Sequence, residues 1–567
     1  MATYALEIFR HAPARDVVYV PIGLGSVICG VIAARDAPGL RTRVVGGVSD
    51  RAPMSALSFA AGRACRTSPA GALQRERGSL AGKRTEHILS GSNVDRAMFA
   101  CGLAASCREP RPAAPPRFAA PSAAPHSAIA QPHAARLTRA MRLSSPLFAA
   151  VVLVAAPFAA ARTVLHVGTL IDSVGDAPKK EMTVVVDGER IVSVSSGYTA
   201  PAAGDKVVDL TSATVTPGWI DCHVHISSEQ SPARYTEGFF MNPADYALRA
   251  TGYAKKTLLA GFTTVRDAGS AHGLNLSFRK AAAAGWIECP RIYAAGGVAT
   301  TGGHGDGTNG YNDQLQQALA PTQTNIGNGP DELRRIVRQR YKDGADVIKI
   351  AATGGVLSLA KSGDAPLFTV EELKAVVDTA RDYGLKVMAH AHGNEGMKRA
   401  VLAGVASIEH GTYMSDEVIA LMKERGTYYV PTISAGRFVA EKAKIDGYFP
   451  AVVRPKAATI GPLIQATFQR AYAAGVKIAF GTDQGVAPHG DNALEFVFMV
   501  DAGMPPLAAI KAATIEAAKL LGAEKDLGTI EPGKFADLVA VPGDLLADIK
   551  RVSQVTFVMK AGVVYKQ

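Results

Sequence analysis

Within Asp221-Cys222-His223-Val224-His225, two histidines stand two residues apart. On a strand that spacing turns both imidazoles to one face, where they can share a metal ion. Other short apolar runs also end in, or carry, groups of ligand type. Lys349 lies inside VIKIA, His390 in VMAHAHG, His410 in SIEHG and Asp483 in FGTDQG. A lysine in the middle of an apolar strand is costly unless it is paired or chemically altered. An ordinary ion pair would serve. A neutral, desolvated amine can instead add carbon dioxide to give a carbamate, whose two oxygens can bridge two cations.

These residues need a scaffold that brings strand ends together. From about residue 243 a phrase recurs: a helical stretch, a glycine, then a short apolar strand ending in polar residues. LLAGFTTVRDAG, DGADVIKIAATGG, DYGLKVMAHAHG, AGVASIEHGTY, RGTYYVPTI and AGVKIAFGTDQG are the clearest copies. With strands at residues 219–226 and 291–297 the count is eight. Strands alternating with helices pair in parallel, and eight of them suggest a closed (β/α)8 barrel of the α/β class. An open doubly wound sheet would carry a glycine-rich phosphate turn after its first strand, and none is present. Residues 162–216 and 526–567 alternate apolar and polar positions instead, as antiparallel strands do, and are expected to form one small β-sandwich beside a barrel spanning 217–525.

The chain has 567 residues, 48% hydrophobic and 20% charged, with a net charge of +11. Residues 1–140 hold 18 Lys+Arg against 8 Asp+Glu, leaving 43 against 42 for the remainder. The body is therefore near neutral and gives no reason to expect a nucleic acid partner. The first 140 residues are rich in Ala, Arg and Pro and lack a sustained period, so most of them are expected to be disordered or spurious upstream sequence. Met141-Arg142, the apolar run 147–158 and Ala159-Ala160-Ala161 make up a signal peptide, too short for a membrane span. Met141 is then the expected true start, and residues 162–567 the periplasmic or secreted enzyme.

The motifs TPGWIDCHVHI, VIKIAATGG, AHAHG, SIEHG and GTDQG closely resemble the amidohydrolase superfamily. The likeness runs from Thr163 to about Lys566. It is nearest to the metal-dependent carboxypeptidase and Xaa-Pro dipeptidase branch, which includes ochratoxin-degrading amidohydrolases. The resemblance implies two zinc ions: His223, His225 and Asp483 on one, His390 and His410 on the other, and carboxylated Lys349 between them. Zinc is preferred on imidazole ligation as well as on the resemblance. Water activated in such a site attacks the amide carbon of an N-acyl amino acid or dipeptide. Asp483 takes its proton and passes it to the leaving amine.

Other candidates carry less. His392 shares a face with His390 and competes with it; the resemblance leaves His392 toward the substrate. His304 in TTGGHGDG and His489 in GVAPHGD would bind a substrate carboxylate or cap loops. Tyr413 and Ser228 would hydrogen-bond substrate or merely pack. Cys222 is read as a buried thiol facing the helix layer. The competing activity is a mononuclear deaminase or cyclic-amide hydrolase, cued by the His392-x-x-Glu395 spacing, although a one-metal site has no use for a bridging carbamate. A barrel that had lost its metals is the noncatalytic alternative, but every ligand is present. Related barrels often assemble, so a homo-oligomer is a candidate state.

Overall fold

The computed structural model describes residues 161–567 and, before them, only two short strand pairs: Val17–Pro21 parallel to Arg43–Gly47, and Phe59–Ala60 antiparallel to Arg63–Ala64. The expected signal segment up to residue 160 lies outside the described residues, as does most of 1–140.

From residue 163 the chain first makes β1 (Thr163–Leu170), β2 (Lys179–Asp187), β3 (Arg190–Ser196) and β4 (Lys206–Pro217). Seven parallel strands follow: β5 (Trp219–Val224), β6 (Phe262–Asp267), β7 (Arg291–Val298), β8 (Val347–Ala351), β9 (Lys386–Ala391), β10 (Ser407–His410) and β11 (Tyr428–Val430). They pair in chain order, as short right-handed β-α-β crossovers require. The expected eighth strand is present as extended chain around Ile478–Gln484. Ile478 bridges Tyr429 of β11 in parallel and Gln484 bridges Val224 of β5, which closes the ring. Its break comes at the positive φ of Asp483.

The repeated phrase folds as its glycines direct. Gly344 and Gly404 close the helices Gly329–Asp343 and Asn394–Ala403 at φ of 93° and 97°, a conformation open to glycine without penalty, so the chain turns at once into β8 and β10. Helix Val370–Asp382 begins with Thr369 and Glu372 satisfying each other's backbone N–H groups. Its buried face, Leu373, Val376, Val377 and Ala380, joins the layer between barrel and helices.

The chain then returns to the first sheet with β12 (Leu538–Pro542), β13 (Phe557–Lys560) and β14 (Val563–Lys566). The order across it is β14-β13-β12-β4-β1-β2-β3, so both flanks build one sheet, joined where β12 runs antiparallel to β4. It bends on itself until Arg190 of β3 bridges Phe535 just ahead of β12. The concave side buries a core of its own, with Leu165, Val184, Val215, Leu538 and Phe557. The far side reaches the barrel, where Val539 and Val558 join the main core with Trp219 and Phe262.

Candidate active site

The polar strand ends meet at one mouth of the barrel. His223 Nε2 and His225 Nε2 lie 3.5 and 3.4 Å from Asp483 Oδ1. Lys349 Nζ is 3.3 Å from His223 Nε2. The His410 ring stands 5.0 Å from that of His223 and 4.7 Å from that of His390, which carries the cluster across the barrel. A register shift between β5 and β6, at Val265/Asp267, breaks the ladder beside His223. His410, Thr432 and Asp483 all have positive φ, of 69°, 56° and 58°, at the ends of successive elements. Non-glycine residues are held this way only where surroundings enforce it, and here the enforcement aims side chains at a common point.

Each ring has one nitrogen tied outward, leaving the other for the centre. His223 Nδ1 pairs with Glu409 Oε2 at 2.8 Å, His225 Nδ1 with the Gly269 carbonyl at 2.5 Å and His410 Nδ1 with Thr432 Oγ1 at 2.8 Å. His390 uses Nε2, toward the Gly354 carbonyl at 3.0 Å. Burial pushes the His225 pKa down to about 4 and those of His223, His390 and His410 well below the usual range, so these rings are neutral at physiological pH. Burial likewise lowers the Lys349 ammonium and raises the Asp483 carboxyl, each opposed by the other's charge.

Four further residues support this arrangement. Glu409, completely buried under His223, also accepts from Arg266 Nη2 at 2.9 Å and from Ser407 Oγ at 2.5 Å. Arg266 Nε reaches back to the Cys222 carbonyl at 2.5 Å. Asp221 receives the backbone N–H of His223 and of Thr482, which ties the first ligand strand to the loop of Asp483. Asp267 receives the N–H groups of Ile226 and Gly269, either side of the His225 contact. The only sequence signal for these four is charge inside an apolar strand, in WIDCHV, TTVRD and SIEH, the same signal that singles out Lys349.

The donor set fits a divalent metal. His223, His225 and Asp483 bring three ligand atoms within 4.8 Å of one another. Asp483 Oδ1 is buried with no hydrogen-bond donor, an acceptor that a cation would satisfy. Neutral imidazoles oriented through their second nitrogen by a carboxylate or carbonyl are what metal ligation requires.

The remaining sequence candidates separate. His304 stacks on His390 at 4.2 Å with its Nδ1 buried and unpaired, and His392 stands edge-on to His390 at 4.7 Å with Nδ1 on Thr412 Oγ1. Both line the cleft, as does Ser228. His489 instead has both nitrogens engaged, on Thr257 Oγ1 and the Ser228 carbonyl, and braces its loop against Tyr253. Tyr413 joins His392 through its backbone N–H while its side chain is exposed. Glu395 is ion-paired with Arg399 at 2.7 Å on an exposed helix face, outside the cleft lining. Cys222 is completely buried among Ile220, Val430, Ala479, Ala517 and Ala518, a free thiol pushed up to about 12 by burial. The cleft above the cluster encloses about 1400 Å³, its walls including Tyr235, Phe239, Leu357, Leu359, Ile460 and Ile464.

Residues 214–565, which hold every one of these ligand-type groups, match the family model of the amidohydrolase family. The chain belongs to the amidohydrolase family. Ochratoxinase from Aspergillus niger is 34% identical to this amidohydrolase over 430 residues, 71% of this chain and 86% of that protein. A solved Xaa-Pro dipeptidase with methionine bound in its active site is similar at 50% identity and a TM-score of 0.69, covering 72% of this amidohydrolase and 100% of that chain. The crystal structure of A. niger ochratoxinase is similar at 32% identity and a TM-score of 0.64, over 72% and 96% of the two chains. This amidohydrolase is a hydrolase of amide or peptide bonds.

Proposed function

We propose that the enzyme is a binuclear metal-dependent hydrolase that cleaves the amide bond of N-acyl amino acids or dipeptides. Ochratoxin A, cut to phenylalanine and ochratoxin alpha, and Xaa-Pro dipeptides are the substrates to which the similar proteins point. One observation carries this reading: four neutral imidazoles, Asp483 and Lys349 converge at one barrel mouth, with the outward nitrogens already satisfied and Asp483 Oδ1 left without a donor. His223, His225 and Asp483 would hold one zinc ion and His390 and His410 the other. Bound there, divalent metal supplies Lewis acidity toward the carbonyl and makes water acidic enough to ionise near neutral pH.

The chain's own residues do the rest. Lys349, with its charge disfavoured by burial, adds carbon dioxide through its neutral amine and releases one proton, leaving a carbamate between the two ligand groups. Asp483 holds the attacking water, accepts its proton as the C–O bond forms and returns that proton to the leaving nitrogen as the C–N bond breaks. Cleft walls bearing Tyr235, Phe239, Leu357 and Leu359 suit an apolar acyl or side chain. The cyclic-amide reading loses its cue, because Glu395 is engaged at the surface by Arg399.

The test is amino acid release from ochratoxin A, N-acyl phenylalanines and Xaa-Pro dipeptides, with metal content measured on the same sample. Two metals per chain and release of free amino acid are expected. Lys349→Ala should abolish release and lower the metal content, and added bicarbonate should not restore either. Turnover of a cyclic imide alone would refute the proposal.

A further inference from the structure

Immediately beyond the first ligand strand, residues 231–241 fold as two short turns, Pro232–Tyr235 and Glu237–Phe239, along the cleft wall. They contain an unequal charge cluster: two guanidinium groups on one carboxylate. Glu237, almost fully buried, receives Arg249 through both terminal nitrogens, at 2.8 and 3.2 Å. Arg249 is also held over the rings of Tyr246 and Tyr253, and it does not line the cleft. Arg234 shares the same carboxylate through a single bond, Nη1 to Oε1 at 2.9 Å. Its Nε and Nη2 donate to nothing among the described residues, and Arg234 does line the cleft, with His225 and Asp483. Four residues earlier, Gln230 lines the same wall with its amide nitrogen buried and without an acceptor.

The cluster therefore has one positive charge in excess, displayed by a side chain with spare donors arranged as a fork. A guanidinium fork matches a carboxylate in two parallel bonds. Of the other cations at or near the cleft, besides Lys349, Lys280 is exposed and without an ion pair among the described residues, on the helix Leu274–Ala283, and two are engaged. Lys456 gives its ammonium to the carbonyls of Gly355, Ser358 and Ala360, and Arg340 is paired with Asp343.

We propose that Arg234, assisted by Gln230, is the specificity-determining residue that binds the α-carboxylate of the substrate's leaving amino acid. This rests on the amide-hydrolase reading above and narrows it. The acid is held by its carboxylate at the wall while its nitrogen faces Asp483. A neutral amide of the same shape leaves the excess charge uncompensated in the cleft, and a site built for a polar partner rejects an analogue lacking it far more strongly than one differing by a methylene.

The test uses the full metal-loaded chain with N-benzoyl-phenylalanine and N-benzoyl-phenylalaninamide, following benzoate, so that the scissile bond is the same in both. The wild type should prefer the acid by about 100-fold in kcat/KM, the scale of a bidentate charged contact. Arg234→Met should lower the acid's kcat/KM by about that factor, mostly through KM, and leave the amide unchanged; Arg234→Lys should recover part of the preference. Arg249→Met, which disturbs the same cluster away from the cleft, should keep the preference. An equal loss on acid and amide in Arg234→Met, or loss of preference in Arg249→Met, would assign Arg234 to folding and overturn the proposal. Wild-type silence on both substrates with two metals bound would instead overturn the function on which it rests.

Discussion

In the proposed reaction the chemistry turns on Asp483, which alone among the ligand-type groups of the described residues both faces the histidines and has a buried oxygen with no donor. Its backbone strain, φ of 58°, is part of that placement. Asp483→Asn keeps the shape and a carbonyl oxygen but cannot take a proton. It should retain metal and lose kcat by about 100- to 10,000-fold, the usual range for a general base; wild-type turnover in this variant would remove Asp483 from the proton path. At this scale much of the site was legible in the sequence, since a lysine or a His-x-His inside apolar runs has few peaceful explanations. Glu409 and Arg266 give the same kind of signal in SIEH and TTVRD but do not stand out by spacing. Each is a charged residue next to a more eye-catching one, and only the fold shows that they pair with each other beneath His223. His489 shows the opposite limit: a loop histidine is as suited to bracing as to binding, and spacing does not separate the two.

Strand ends position residues only if the helices after them start where they should. Helix Ile433–Lys442 begins directly after Thr432, whose hydroxyl holds His410, and its first N–H groups, on Ile433 and Ser434, donate to Glu495 at 2.8 and 2.7 Å. Glu495 is completely buried, and burial pushes its pKa up to about 7. A carboxyl raised in this way binds its proton more tightly folded than unfolded, so its contribution declines as pH rises from about 4.5 to about 7. The Tm difference between wild type and Glu495→Gln should therefore move against the wild type across that range. A difference independent of pH would show that Glu495 does not titrate there. The recurring helix-glycine-strand phrase made most such elements legible. It counted eight strands; the last is held by isolated bridges, because the turn at Asp483 that serves the site also interrupts its ladder.

Along the chain from residue 161, the barrel segment is inserted between the two halves of a single sheet. Alternation in the two flanks announced strands at both ends, but not that β12 would lie against β4, since pairing partners so distant in sequence leave no local trace. A chain ending at residue 530 keeps every ligand and loses β12, β13 and β14. It should leave β4, with Val215, as an unpaired sheet edge and uncover the core face that carries Leu165, and be recovered insoluble or protease-sensitive; a soluble truncated chain with native Tm would show that the barrel stands without the sheet's second half.

That closure has a consequence for synthesis. Thr214 meets its partner Gly543 across 329 residues. On a ribosome emitting about 5–20 residues per second, the early strands wait some tens of seconds for the segment that completes their sheet. During that interval β4 presents an unpaired edge to whatever is nearby, so the newborn chain is the form most in need of a chaperone, and the final thirty residues are the ones that release it.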